Sequence, residues 1–205
     1  MKIEKTSLDG VLVMEPEFKF RDHRGEIVCA FEEEDLESAQ MGQMKMNIGW
    51  GFSKHNFSVS YKDVLRGIHV SPDIAKLAYC PFGSIYLVVV DCRVDRPDTF
   101  GKWEAFEIDN YNLKMILIPP GFGLAHLVRS QIAVFYYHWS HEFDGDKQGS
   151  YRWDSFGIEW PISEPPILSE RDRNATFIPR FSDTSSERTA TEIISDACFD
   201  IYRGK

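Results

Sequence analysis

Apolar residues in this chain gather in short runs, and turn-forming residues separate them. The runs are GVLVM (10–14), GEIVCAF (25–31), VLRGIHV (64–70), KLAYC (76–80), SIYLVVVDC (84–92), KMILIPP (114–120), HLVRS (126–130) and AVFYYHW (133–139). Between them stand Asp-Gly at 9–10, Pro-Asp at 72–73, Pro-Phe-Gly at 81–83 and Pro-Pro-Gly at 119–121. Many short strands at this spacing predict a β-sandwich or barrel. The stretch from Ile85 to Val90 is apolar throughout, so its strand needs cover on both faces, from a second sheet or a partner subunit. Helix is scarce. The acidic run from Glu32 to Glu37 predicts one short helix start, because carboxylates favour a helix N-terminus. Residues 1–180 read as one domain, and 181–205 as a Ser/Thr-rich tail that could be helical or loose.

Composition narrows the function. Hydrophobic residues make up 43% of the 205 residues, enough for a real core, and the aromatic share of 14% suits strands and apolar pockets. A net charge of −9 argues against nucleic acid as a partner. It leaves room for a phosphorylated small molecule held by a local Arg cluster. The four cysteines, Cys29, Cys80, Cys92 and Cys198, follow no zinc or redox spacing and read as buried small side chains. The N-terminus lacks an apolar signal core and no run reaches membrane-spanning length, so the expectation is a cytoplasmic protein without a membrane partner.

Six histidines are present, at 23, 55, 69, 126, 138 and 141, with no HxH or HExxH pattern among them. Chemistry without metal or cofactor is therefore expected. In VLRGIHV, strand alternation puts Leu65, Gly67 and His69 on one face and Val64, Arg66, Ile68 and Val70 on the other, unless a bulge intervenes. Taken alone, His69 reads as a hydrogen-bonded structural histidine rather than a catalyst.

An ordered set of motifs changes that. FKFRDHRGE (18–26), NFSVS (56–60), VLRGIH (64–69) with Lys76 after it, VDCR (90–93), TFGKW (99–103), IPPGF (118–122), AVFYY (133–137), GIEWP (157–161) and LSERD (168–172) follow one another along the chain. In this order the sequence resembles the dTDP-4-dehydrorhamnose 3,5-epimerase family of nucleotide-sugar cupins over about residues 18–172. The resemblance implies a cupin-type jelly-roll barrel with few helices and a homodimer, to which the apolar strand at 85–90 also points. It implies a nucleotide-diphosphate 4-keto sugar as substrate. The ketone at C4 acidifies the protons on C3 and C5. Epimerisation then needs a base, a cation at the enolate oxygen and an acid on the far face. By the resemblance these are His69 with Asp172 behind it, Lys76 and Tyr137. Arg24, Arg66 and Arg171 match positions near the diphosphate and sugar, Phe20 one at the base or ribose, and Asn56 and Ser58 polar contacts.

Three departures from the pattern stand out. The usual GFAHGF run is GFGLAH here, so Leu124 replaces a histidine and His126, a further substrate-contact candidate, replaces an aromatic. A family glutamate is Cys29, and a glutamine two before Asn56 is Lys54. Kept catalytic positions beside changed contacts imply the same reaction on another nucleotide or sugar. GFGLAHLV before the FYY strand is similar to epimerases of GDP-linked 4-keto heptoses. A 3,4-ketoisomerase and a non-catalytic sugar-nucleotide binder are the rival readings, with a metal-dependent oxygenase disfavoured by the missing HxH.

Overall fold

The computed structural model describes residues 1–17, 19–32, 34–36, 39, 53–140 and 148–180. Thirteen strands appear among them: β1 (Lys2–Lys5), β2 (Leu12–Glu15), β3 (Lys19–Asp22), β4 (Gly25–Val28), β5 (Lys54–Tyr61), β6 (Leu65–Val70), β7 (Lys76–Phe82), β8 (Ser84–Asp91), β9 (Trp103–Asp109), β10 (Met115–Ile118), β11 (Phe122–Val128), β12 (Ile132–Trp139) and β13 (Gly149–Ser150). A six-stranded sheet runs β1-β2-β10-β7-β12-β5 and a five-stranded sheet runs β13-β6-β11-β8-β9, while β3 and β4 form a separate hairpin. Every strand pairing is antiparallel. The result is a barrel, one of the two forms the run spacing predicts, and of the jelly-roll type that the resemblance implies, with a helical stretch at 34–36 in the acidic segment and a one-turn helix at Glu170–Arg173. The tail at 181–205 lies outside the described residues.

The two large sheets face each other across a core that includes Ile85, Leu87 and Val89 from β8, Ala78 and Cys80 from β7, and Phe135 from β12. The opposite face of β8, with Val88 and Val90, is covered by the returning chain through Tyr151, Phe156, Ile158 and Ile178. Both faces of the apolar strand are thus covered within one chain. Of the two expected sources of cover, the second sheet supplies one face and no partner subunit is needed for the other, so this strand does not itself point to a dimer. Cys80 and Cys92 are buried as expected, and burial pushes the Cys80 thiol up to about 11.

Alternation along β6 also needs correction. Leu124 on β11 lies opposite His69, and His126 lies opposite Arg66. Two steps along β11 thus match three along β6, which is a bulge at Gly67–Ile68. The extra residue returns Arg66 to the face that His69 occupies, while Ile68 and Val70 pack outward. Gly67 has φ +109°, and a Cβ there would meet the Leu124 carbonyl oxygen and, at 2.8 Å, the Ala125 Cα. Gly67→Ala is therefore expected to destabilise the fold by ~2 kcal/mol or more. A thermal melt should show the midpoint falling by roughly 4–8 °C. An unchanged midpoint would mean that the bulge can relax.

Candidate active site

One cavity of about 320 Å³ opens between the sheets and is lined by His69, Lys76, Tyr137, Asn56, Ser58, Arg66, Leu124, His126 and Arg171, with Lys54, Phe135, Trp139 and Gln148. Strand alternation explains the six-stranded wall. On β5, Lys54, Asn56 and Ser58 point inward, and on β12, Phe135, Tyr137 and Trp139 do. The two strands pair Lys54 with Trp139, Asn56 with Tyr137, and Ser58 with Phe135. Tyr136 points the other way and stacks on Tyr79 and Phe57, as expected from its place beside Tyr137.

The five-stranded wall supplies His69. Its Nε2 lies 2.7 Å from Asp172 Oδ1. Asp172 is 103 residues further on, and its delivery is built locally. The backbone of Ile167 bonds to Leu65 and Asp63 beside β6, and Ser169 caps the helix Glu170–Arg173. Asp172 is buried, not a surface-turn residue. Burial alone would push its carboxyl up. The His69 hydrogen bond and charge, the Ser169 hydroxyl and the Gly67 N–H outweigh that and hold it below the ordinary carboxylate range. With Nε2–H donated to Asp172, the free lone pair of the His69 ring lies on Nδ1.

Lys76 stands on the facing sheet, with β10 on one side and β12 on the other. It is 3% exposed, so it is no solvated edge lysine. Its Nζ lies 3.5 Å from the His69 carbonyl oxygen, and burial pulls its pKa down to about 8. Tyr137 is half-buried between the rings of Phe135 and Trp139, and burial raises its hydroxyl pKa against the pull of Arg66. Arg66 donates to Ser60, and Arg171 donates to Gln148 at 3.1 Å.

Phe20 and Arg24 are not brought to this cavity. They sit on the β3–β4 hairpin, where Arg24 pairs with Asp22 and Phe20 is half-exposed. Five lining residues fell outside the sequence-derived candidates: Lys54, Leu124, Phe135, Trp139 and Gln148, of which Lys54 and Leu124 stood out only as departures from the family pattern. Alternation from Tyr137 points to Phe135 and Trp139, and from Asn56 to Lys54, whereas nothing in the sequence singles out Gln148. Among the described residues no group of three or more His, Cys, Asp or Glu side chains is placed to hold a metal ion.

A jelly-roll barrel whose cavity holds a carboxylate-bound imidazole facing a buried ammonium and a tyrosine defines a cupin with an acid–base site. The chain belongs to the dTDP-4-dehydrorhamnose 3,5-epimerase family, whose model matches residues 5–179. It is 32% identical over 183 residues to the dTDP-4-dehydrorhamnose 3,5-epimerase of Salmonella typhimurium, covering 87% of this chain and 96% of that one. A Streptomyces dTDP-4-dehydro-6-deoxyglucose 3-epimerase is 31% identical over 176 residues, covering 82% and 85%. The crystal structure of dTDP-4-dehydrorhamnose 3,5-epimerase from Elizabethkingia anophelis superposes with a TM-score of 0.75 at 32% identity, covering 91% of this chain and 99% of that one. No helix among the described residues is long and apolar enough to cross a membrane.

Proposed function

We propose that the chain is an isomerase that inverts C3, C5 or both in a nucleotide-diphosphate 4-keto sugar, a deoxyhexose or a heptose. The observation that carries this is the His69–Asp172 pair on one wall of the cavity facing Lys76 and Tyr137 on the other. His69 Nδ1 takes the proton next to the ketone. The C–H electron pair becomes the enolate double bond and the carbonyl pair moves onto oxygen, where the Lys76 ammonium offsets the charge. Tyr137 gives its proton to the opposite face, and solvent exchange resets the tyrosine and the imidazolium. Arg66, Arg171, Asn56, Ser58 and His126 bind the diphosphate and sugar, and the departures from the family pattern at Lys54, Leu124 and His126 fit another nucleotide or another sugar, with GDP among the nucleotides to test. The product would serve a surface polysaccharide or a glycosylated metabolite.

Two features of the surface support a homodimer formed by residues 1–180. The outer face of β5 with its neighbours exposes Phe57, Val59, Tyr61, Phe82 and Ile132, a patch that a second copy would cover. The isolated β3–β4 hairpin exposes Phe20 and Ile27, and such a ribbon is marginal in water without packing. The free thiols of Cys29, Cys80 and Cys92 suit the reducing cytoplasm.

Incubation with dTDP-, GDP-, CDP- and UDP-linked 4-keto sugars in deuterated water tests the reading. Proton NMR should show deuterium entering at C3 or C5 with inversion for one nucleotide series. Movement of the carbonyl instead would identify a ketoisomerase, and binding without exchange a binding protein. A second expectation concerns pH. Lys76 acts as a cation and its pKa lies at about 8. Above that pH the amine loses its proton, so kcat/KM should fall about tenfold per further pH unit. A profile flat to high pH would remove Lys76 from this role.

A further inference from the structure

At the end of the cavity away from Lys54 and Trp139, His126, Arg66, Ser58 and Phe135 form a group of their own. His126 is 4% exposed, lines the cavity and lies with its ring 4.1 Å from that of Phe135. Its Nε2 has no hydrogen-bond partner among the described residues, and neither does Ser58 Oγ, which lines the same cavity. Leaving buried polar atoms unpaired is costly, so a native site that holds two of them together calls for a ligand that satisfies them.

We propose that His126 is a specificity-determining residue that hydrogen-bonds a hydroxyl of the substrate's sugar. The inference rests on the function proposed above and adds a requirement on the substrate. The chemistry of the imidazole selects a hydroxyl over a phosphate oxygen. Burial, with the adjacent charges of Arg66 and His69, holds the His126 pKa at about 3 against the opposing carboxylate of Asp172. The ring is thus neutral at physiological pH, with one nitrogen donating and one accepting. A hydroxyl also does both, and Ser58 can complete the pair. A phosphate oxygen only accepts, and the cationic groups that suit it, Arg66 and Arg171, are already in the cavity. In the sequence pattern that this chain otherwise follows, an aromatic stands at 126. An aromatic ring there could not make the bond, so the requirement belongs to this chain.

The test compares wild type with His126→Phe on 4-keto-hexose nucleotides in which the hydroxyls at C2, C3 and C6 are present or absent in turn. In wild type, removal of one of the three should lower kcat/KM for solvent exchange about tenfold or more. In His126→Phe the same removal should change it less than about twofold. Indifference of wild type to all three hydroxyls, or unchanged discrimination in the variant, overturns the proposal. Because the variant could fold poorly, a second measurement uses wild type alone. With 15N-labelled histidine, the His126 Nε2 resonance should move on addition of the 4-keto-hexose nucleotide and stay in place with the free nucleoside diphosphate. An equal response to the nucleoside diphosphate assigns His126 to phosphate and overturns the proposal, as does no response to either. Binding with a silent His126 defeats this inference alone. Failure of every dTDP, GDP, CDP and UDP probe to bind defeats the proposed function along with it.

Discussion

Substitution of His69 by Asn is expected to abolish both exchange of substrate hydrogen with solvent and inversion. The loss in kcat/KM should be on the order of a thousandfold or more, within the range for a single positioned base. The geometry makes this variant informative. Asn keeps the polarity of the imidazole, but its side-chain NH2 reaches only as far as Nδ1 does and falls short of Asp172, which His69 meets through Nε2 at 2.7 Å. The buried carboxylate still has the Gly67 N–H and the Ser169 hydroxyl as partners, so the fold should survive. What disappears is the Nδ1 lone pair, because an amide does not accept a proton near neutral pH. Exchange is the decisive readout, since it needs only removal and return of a proton on one face. Exchange at the wild-type rate in His69→Asn would place the base elsewhere in the cavity. Asp172→Asn makes the complementary change. It leaves the imidazole in place and removes the charge that orients it, so exchange should slow but persist.

How much of this was legible in the sequence depends on which physical signal each part uses. Strands with an apolar inward face announced themselves: β8 and β10 lie within the apolar runs of the sequence, and β12 matches another from Ala133 onward. β5 did not, because its pattern is inverted. Asn56, Ser58 and Ser60 turn toward the interior, while Phe57, Val59 and Tyr61 turn outward. Inward polarity marks a cavity and outward apolarity a face that needs cover, but alternation alone does not say which side is which. His69 and Arg66 were recognised as candidates, yet their shared orientation depends on the bulge at Gly67–Ile68, which appears only when β6 is laid beside β11. Asp172 lies 103 residues from His69, and only motif order linked them beforehand. Lys76 shows the same limit. A lysine in a strand usually signals an edge, and only the sheet order, with β7 between β10 and β12, shows that it is buried. Phe20 and Arg24 were expected at the substrate and lie on a separate hairpin, a separation that depends on the order of strands in space, not in sequence.

The two walls of the cavity also predict that exchange and inversion can be uncoupled. Tyr137→Phe should still exchange substrate hydrogen for deuterium while inverting little, with inversion reduced on the order of a hundredfold or more by loss of the far-face acid. The ring makes its contacts through carbon: it stacks on Phe135 with centroids 5.3 Å apart and tilts against Trp139 at 5.7 Å. Phe keeps both contacts, so folding and binding should be preserved. His69 stands on the other sheet, beside Leu124, and is untouched by the change. It can still remove a proton and hand it, or a solvent deuteron, back to the same face. The signature is therefore deuterium at the reacting carbon with configuration retained, read by proton NMR on recovered substrate. Burial raises the Tyr137 hydroxyl pKa above the ordinary phenol value, so in wild type it carries the proton it must give at neutral pH. If Tyr137→Phe epimerises at the wild-type rate, Tyr137 is a packing residue.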